Sequence, residues 1–206
     1  MNATQSKTDA VLKAREWISK GYLIGDTETT GLGDDAEIVE ICLINVYGGI
    51  MLNTLIKPIR PIPAEAIAIH GITNEMVEYA PTWNDVHFAL VELYVKYGFV
   101  FYNSNYDDRL IRQTVILNDP ADEYFDLATM KSPCAMLAYS EYRGEPGKNT
   151  GYKWHKLVEA AAYEGVTVEG KAHRAFADCK MTLGIIRAMA FGGVETGGNS
   201  VIKNSF

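Results

Sequence analysis

Two acidic residues stand where acidic residues are costly, at the end of a strand predicted over residues 22–28. Asp26 and Glu28 are two positions apart, so their side chains point to one face of the strand, with Cα atoms roughly 6.5 Å apart. Two like charges beside a core require a positive species between them. A simpler alternative is that Asp26 caps the turn completed by Gly31, because two acids with this spacing are common.

A third acid begins the helix predicted over residues 106–117. Positions three, four, seven and eight after Asp107 are apolar or small, which places Asp107 on the inward face of that helix. The residues on this stripe are Leu110, Ile111, Thr114 and Val115. An acid in a first turn is also explained by the helix dipole, and both interpretations stay open here.

A fourth acid, Asp178, heads a longer apolar stripe in the helix predicted over residues 175–191. The stripe continues through Met181, Thr182, Ile185, Ile186 and Met189. His173 lies five residues before Asp178, too far around a helix to share its face. We therefore place His173 on the preceding loop, where it is either solvated or positioned over a site that Asp178 helps to form.

Convergence of these four carboxylates would create a metal site. Ligand sets made only of oxygen favour Mg²⁺ or Mn²⁺ over zinc. Two such ions activate water and stabilise the leaving oxygen in phosphodiester hydrolysis, and His173 can accept the proton of the attacking water. The predicted chemistry is metal-dependent cleavage of a nucleic acid.

Three segments carry these residues and resemble the motifs of the DEDDh 3′ to 5′ exonucleases, in the same order. They are DTETTGL at 26–32, YNSNYD at 102–107 and HRAFAD at 173–178. A further segment, AIHGIT at 68–73, is similar to one found between the first two motifs of that family. The resemblance covers about residues 22–190 and is closest to exonuclease X, a DnaQ-like enzyme.

This resemblance implies a ribonuclease H-like fold and a role for each matching residue. The implied metal ligands for two Mg²⁺ or Mn²⁺ ions are Asp26, Glu28, Asp107 and Asp178, with His173 as general base. The implied substrate-binding residues are Thr29 at the 3′ hydroxyl, Leu32 as a wedge against the terminal base, His70 in the terminal nucleotide pocket, and Asn103. Alternatively, His70 caps a helix end and Leu32 is an ordinary packed turn residue.

Two positions depart from the pattern of the family. Tyr102 stands where many relatives have histidine, and Tyr106 where they have phenylalanine. Because both keep an aromatic ring and neither removes a ligand, we expect an effect on substrate preference before catalysis.

The surrounding pattern predicts an α/β fold, a central mixed sheet flanked by α-helices. Gly48 and Gly49 separate two apolar runs and indicate a hairpin. We expect an N-terminal helical extension over residues 1–21, an exonuclease domain over 22–191 and a disordered tail over 192–206. Strands are predicted at 22–28, 37–47, 50–57, 99–102 and 124–127, and helices at 8–20, 64–70, 73–79, 83–97, 106–117, 132–139, 155–163 and 175–191.

The composition fits one ordinary domain of 206 residues with a net charge of −7. No apolar run is long enough to span a membrane, no secretion signal is evident, and three separated cysteines indicate reduced thiols, so we expect a cytoplasmic protein. The acidic balance argues weakly against a nucleic-acid partner. However, residues 1–130 contain 19 acids and 9 bases, whereas residues 131–206 contain 7 acids and 10 bases.

The basic half contains a segment, residues 139–156, that interleaves tyrosine and tryptophan with lysine and arginine. Stacking and phosphate neutralisation by such residues suit a single strand, although a solvated loop explains them as well. The leading hypothesis is an exonuclease that releases nucleoside 5′-monophosphates from DNA 3′ ends, with single-stranded DNA as a partner. RNA trimming and a polymerase proofreading or accessory subunit are the alternatives, and the oligomeric state is not indicated.

Overall fold

The computed structural model describes residues 3–118, 127–148, 151–167 and 173–192. Four strands form one sheet, and eight α-helices and a short 3₁₀ turn are described with it. The strands are β1 (Leu23–Thr29), β2 (Ile38–Ile44), β3 (Ile50–Leu55) and β4 (Phe99–Phe101). The helices are α1 (Ala3–Lys20), α2 (Ala64–His70), α3 (Asn74–Val77), α4 (Trp83–Tyr97), α5 (Ser104–Asn118), α6 (Ala135–Arg143), α7 (Leu157–Tyr163) and α8 (Ala175–Phe191), and the 3₁₀ turn is Leu127–Thr129.

The sheet is mixed, in the order β3-β2-β1-β4. Strand β1 runs antiparallel to β2 and parallel to β4, so the predicted central mixed sheet is confirmed. The hairpin predicted at Gly48 and Gly49 joins β2 to β3. Glu28 lies opposite Glu40 in the β1–β2 register, and the register shifts immediately afterwards. An irregularity of this kind twists the strand end and re-aims its side chains.

Each face of the sheet has its own layer of helices. On one face, Ile24, Cys42 and Val100 pack against residues of α1, α6, α7 and α8. On the opposite face, Leu23, Leu43 and side chains of β4 pack against α4 and α5. Because successive strand residues alternate between faces, the acids of β1 share the face covered by α8.

Gly25 lies between these two layers, next to Asp26. A Cβ atom at this position would collide with the ring of Phe101 and crowd Leu43. Glycine here therefore allows the aromatic side chain of β4 to pack directly on the backbone of β1. This close approach fixes the strand that carries the acids.

The boundaries of some predicted elements were wrong. Helix α6 begins at Ala135, three residues later than predicted, because Pro133 and the extended N-cap Cys134 precede it. It ends at Arg143, four residues later than predicted, and the C-cap Gly144 that follows has a left-handed backbone. Helix α1 begins before the predicted residue 8, and Ser6 is buried in its first turns.

Other boundaries shift by less. Helix α3 is shorter than predicted, and its N-cap Thr73 accepts a hydrogen bond from the Met76 amide. Leu127 belongs to the 3₁₀ turn rather than to a strand, and the rest of that predicted strand and the tail after residue 192 lie outside the described residues. In the described ranges, no helix is both long and apolar enough to cross a bilayer.

Candidate active site

Three of the four predicted ligands converge at the end of β1. One carboxylate oxygen from each of Asp26, Glu28 and Asp178 lies within 4.8 Å of the other two. The first two project from one face of β1, and the third comes from the first turn of α8, which packs across that face. The carboxylate of Asp26 thus faces the other acids of the group.

Asp107 approaches from the other side of β1. It lies in the first turn of α5, is 5% exposed, and its Oδ1 accepts a hydrogen bond of 2.8 Å from the Thr27 hydroxyl. Thr27 separates Asp26 from Glu28 along the strand, so this bond fixes Asp107 beside the acidic group. The charge of Asp107 is also the largest charged contribution to the raised pKa of Asp26.

The buried stripes predicted for the two helices are present. Residues three, four, seven and eight after Asp107 are all buried, as are those along the stripe of Asp178. Desolvation raises the pKa of Asp107 to about 7, and its bond from Thr27 only partly opposes this shift. A helix dipole alone would favour the charged form of this carboxyl, so burial dominates at this position.

The pKa values of the other acids at this site are raised as well, so each of them resists ionisation. Burial, followed by the charges of the neighbouring acids, raises the pKa of Asp26 well above its ordinary value. Burial and the charge of Asp178 raise the pKa of Glu28 to about 8. Burial also raises the pKa of Asp178, against the opposing effect of His173. The common cause is a concentration of negative charge away from water.

Asp178 also carries a buried oxygen without a hydrogen-bond partner among the described residues, its Oδ1. Leaving a buried carboxylate oxygen unsatisfied is costly, and such an atom calls for an explanation such as an ion. An acidic group that contains only oxygen donors suits a hard divalent cation. The residues present therefore fit the Mg²⁺ or Mn²⁺ expected from the sequence.

His173 lies on the segment that leads into α8. Its side chain is exposed and its backbone has φ 62°, a positive value that no other described non-glycine residue shows. Both its backbone amide and its ring charge favour the ionised form of Asp178 and so lower the pKa of that carboxyl. The imidazole is therefore next to the acidic group and open to solvent.

Thr29 ends β1 and organises the glycine turn that follows it. Its hydroxyl donates to the Gly31 carbonyl at 2.9 Å and lies 2.8 Å from the Tyr106 hydroxyl. Leu32, at the tip of this turn, is 79% exposed, and Arg109 donates to its carbonyl oxygen. An exposed leucine on a tethered turn is not an ordinary packed turn residue.

His70 is buried, whereas Asn103 is exposed. His70 is 3% exposed, its Nδ1 accepts from the Ile72 amide at 3.0 Å and its Nε2 lies 3.3 Å from the Thr29 carbonyl. Burial lowers its pKa. Both ring nitrogens are thus engaged, as expected of a residue that joins a helix end to β1. Asn103 is exposed, and its carbonyl accepts from the amide of Tyr106 at the start of α5.

The basic and aromatic segment at 139–156 is partly engaged within the protein. The Tyr152 hydroxyl donates to Ser6, and Lys7 lies over the ring of Tyr142. Trp154, by contrast, is 65% exposed. The neighbouring His155 carbonyl accepts a bond of 2.8 Å from the Tyr102 hydroxyl, so Tyr102 is used as a structural link to this segment.

Sequence reasoning missed three residues that support the site, Thr27, Glu40 and Arg174. Thr27 anchors Asp107, while Glu40 forms an ion pair with Arg174 at the start of α8. The predicted hairpin did contain a usable signal, because a glutamate within an apolar run that pairs with β1 needs a cationic partner. Nothing in the spacing identified Arg174 as that partner.

Comparison with known proteins agrees with this geometry. The family model described as Exonuclease matches residues 23–186, which include all four acids and His173. The chain belongs to this exonuclease family. The exonuclease is 62% identical to the protein named uncharacterized exonuclease CP81 of Escherichia phage 186. This alignment extends over 193 residues and covers 93% of this chain and 97% of the phage protein. It is 38% identical over 89 residues to exodeoxyribonuclease 10 of Escherichia coli K12, covering 42% and 38% of the two chains.

Solved structures extend the likeness to the fold. Exonuclease X in complex with 5′ overhanging duplex DNA superimposes with a TM-score of 0.56 at 25% identity, over 82% of this exonuclease and 90% of that chain. The nuclease domain of 3′hExo, a DEDDh family member bound to rAMP, gives a TM-score of 0.65 at 20% identity, over 84% and 92%. The resemblance to DEDDh exonucleases and the ribonuclease H-like fold are confirmed. The protein is an exonuclease that acts on nucleic acid, and metal binding is typical of this family.

Proposed function

We propose that this exonuclease hydrolyses phosphodiester bonds at the 3′ ends of DNA and releases nucleoside 5′-monophosphates. The observation that carries the proposal is the acidic group at the end of β1, in which one carboxylate oxygen from each of Asp26, Glu28 and Asp178 lies within 4.8 Å of the other two. Asp26, Glu28, Asp107 and Asp178 would hold two Mg²⁺ or Mn²⁺ ions. When bound, such ions polarise the phosphoryl oxygen, lower the pKa of water and stabilise the leaving oxygen.

His173 is the proposed general base. Its exposed imidazole beside Asp178 can accept a proton from water that approaches from solvent, and the neighbouring acid orients and stabilises the resulting imidazolium. Thr27 keeps Asp107 in place during this step through its hydroxyl. The chain thus supplies a proton acceptor on the solvent side and, on the inner side, carboxylates that bound cations would keep ionised.

The terminal nucleotide is assigned to the surface formed by the glycine turn and the start of α5. We assign the 3′ hydroxyl to Thr29 and neighbouring backbone, the terminal base to exposed Leu32, and a further polar contact to Asn103. His70 supports the pocket from beneath by holding the Thr29 carbonyl. Support for DNA over RNA comes from the likeness to exodeoxyribonuclease 10 and to exonuclease X with its duplex.

The test compares 5′-labelled single-stranded DNA, duplex DNA and RNA of one sequence, each with Mg²⁺ and with EDTA. We expect DNA to shorten stepwise from its 3′ end, with mononucleotide products, only when Mg²⁺ is present. Asp178→Asn should abolish shortening, whereas Asp9→Asn, on helix α1 and outside the acidic group, should not. Failure to shorten any strand would contradict the proposed reaction. Shortening of RNA alone would instead show that the substrate assignment is wrong.

A further inference from the structure

Glu40, on β2, is a buried acid that belongs to no metal-ligand group among the described residues. It is 4% exposed and all of its acceptor capacity is directed at the beginning of α8. Its Oε1 accepts from Nη2 of Arg174 at 2.6 Å, and its Oε2 accepts from Nε of Arg174 and from the Ala175 amide, both at 3.0 Å. Such a two-pronged pair fixes direction as well as distance.

These contacts cap a helix from another part of the chain. Arg174 is the N-cap of α8, with extended backbone angles and no side-chain cap of its own. The first amides of a helix need acceptors, and a negative charge there is favourable. Glu40 therefore provides, from β2, the negatively charged acceptor that the side chain of the N-cap residue does not provide.

The contacts of Glu40 with Arg174 and Ala175 influence both proposed functional residues of this region, His173 and Asp178. His173 precedes Arg174 and has a left-handed backbone, which a non-glycine residue keeps only when its surroundings hold it there. The Asp178 amide donates to the Arg174 carbonyl at 3.1 Å, one helical turn later. A displacement of Arg174 would therefore move the proposed base and one proposed ligand together.

Glu40 lies opposite Glu28 in the sheet, so its contacts with the start of α8 are next to the acidic group. Without Arg174, Glu40 would be a further unpaired acid beside the group. With it, the oxygens of Glu40 are occupied, and Asp178 rather than Glu40 lies with Asp26 and Glu28. The ion pair between Glu40 and Arg174 thus also determines which acids are available to bind a cation.

We propose that Glu40 and Arg174 are positioning residues, which set the place of His173 and Asp178 relative to the acids of β1. This inference rests on the proposed function for its kinetic consequences. Its consequence for cation binding does not depend on that function, since the geometry of Asp178 determines affinity with or without substrate. Residues that orient ligands commonly change metal affinity or activity about 10- to 100-fold.

The residue just before β2 offers a matched control. Glu37, immediately before β2, is 1% exposed and accepts from the Ile59 amide at 2.7 Å and from Nε of Arg60 at 3.2 Å. It is therefore a second buried glutamate that pairs with an arginine and a backbone amide. It anchors the proline-rich segment after β3, however, and not α8.

The experiment measures Mn²⁺ affinity by calorimetry, and kcat and KM on single-stranded DNA, for Glu40→Gln, Arg174→Lys, Arg174→Gln and Glu40→Gln/Arg174→Gln. Arg174→Lys keeps the positive charge and the hydrogen bond that the Ala175 amide donates to Glu40, but it removes the planar guanidinium group. We expect weaker Mn²⁺ binding by about tenfold and a kcat reduced about 10- to 100-fold with KM unchanged, because small misplacements of reacting groups act on the chemical step. The double variant should lose no more than the worse single variant.

Arg60→Lys should match the wild type in both measurements. Equal Mn²⁺ affinity and kcat in a folded Glu40→Gln protein, or an equal loss in Arg60→Lys, would overturn the inference. If Glu40→Gln does not fold, Arg174→Lys decides in the same way. An inactive wild type would overturn the proposed function, while the Mn²⁺ affinities would still test the positioning role.

Discussion

Glu37 and Glu40, just before and on β2, are buried, whereas Asp26 and Glu28 on β1 are half-buried, and the two pairs of acids differ in their neighbours. Glu37 and Glu40 each form an ion pair with an arginine and accept a backbone amide bond. Among the described residues, Asp26 and Glu28 take part in no such pair with lysine or arginine, and burial and mutual repulsion raise their pKa values. An acid that pairs with an arginine fixes the backbone around it, whereas an acid without such a partner needs a cation to neutralise its charge.

The largest expected effect comes from removing one unpaired acid. Asp26→Asn should reduce kcat by about 1,000-fold or more, since loss of about 4 kcal/mol of transition-state stabilisation corresponds to this factor. The same change should raise the metal-free melting temperature, because it removes a charge that burial and neighbouring acids oppose. Kinetics on labelled DNA and thermal unfolding in EDTA measure the two effects.

Glu37→Gln is the control for that experiment. It neutralises an acid that is buried but paired with Arg60, so it should lower the melting temperature and retain activity. A rise in melting temperature for both variants would mean that an arginine partner makes no difference, and that burial of the charge alone is destabilising in both places. A drop for both would exclude repulsion among the acids of β1.

Divalent cations should stabilise the wild type by relieving this repulsion. At 100 times the dissociation constant, a bound ligand adds about 2.7 kcal/mol, which for a chain of this size is a shift of about 5 to 10 °C. Mg²⁺ or Mn²⁺ should give this shift in scanning fluorimetry, and Asp26→Asn/Asp178→Asn should not. An identical shift in the double variant would place the stabilising cation elsewhere.

The stability of the metal-free protein should depend on pH through the unpaired acids. The pKa of Glu28 rises to about 8 in the folded state, so folding favours its protonated form. That contribution is complete below about pH 4.5 and is lost as pH rises through 8, with a slope of at most about 1.4 kcal/mol per pH unit. Urea unfolding in EDTA between pH 5 and 8 should show falling stability, and Glu28→Gln should flatten the curve. A wild-type curve that rises over this range would contradict the assignment.

Periodicity was sufficient to predict much of the site. The spacing of apolar residues after Asp107 and Asp178 correctly predicts their buried faces, and alternation predicts that Asp26 and Glu28 point the same way. These patterns are local, so they can be read along the chain. The hairpin between β2 and β3 could be predicted for the same reason, because its signal is the adjacent pair of glycines in the turn.

Contacts between distant segments could not be predicted in this way. Glu40 and Arg174 are 134 positions apart, and Thr27 and Asp107 are 80 apart. Which cation reaches a buried acid depends on how helices pack on the sheet, and no single element encodes this information. The late start of α6 has a similar cause, because Pro133 and an extended N-cap override the local helical pattern.

The smallest predicted effect concerns Asp107, whose carboxylate accepts a hydrogen bond from the neutral Thr27 hydroxyl. Thr27→Val removes the hydroxyl that donates to Asp107 but keeps the shape of the side chain. Loss of this bond leaves a buried carboxylate oxygen unsatisfied, which should cost about 1 to 3 kcal/mol of stability without metal. It should also raise the pKa of Asp107 above about 7, since the Thr27 bond favours the ionised form. Carboxyl-specific ¹³C NMR titration of labelled aspartate would detect this change, and Thr54→Val, on edge strand β3, provides the control. An unchanged titration of Asp107 would show that Thr27 does not distinguish this acid from its neighbours.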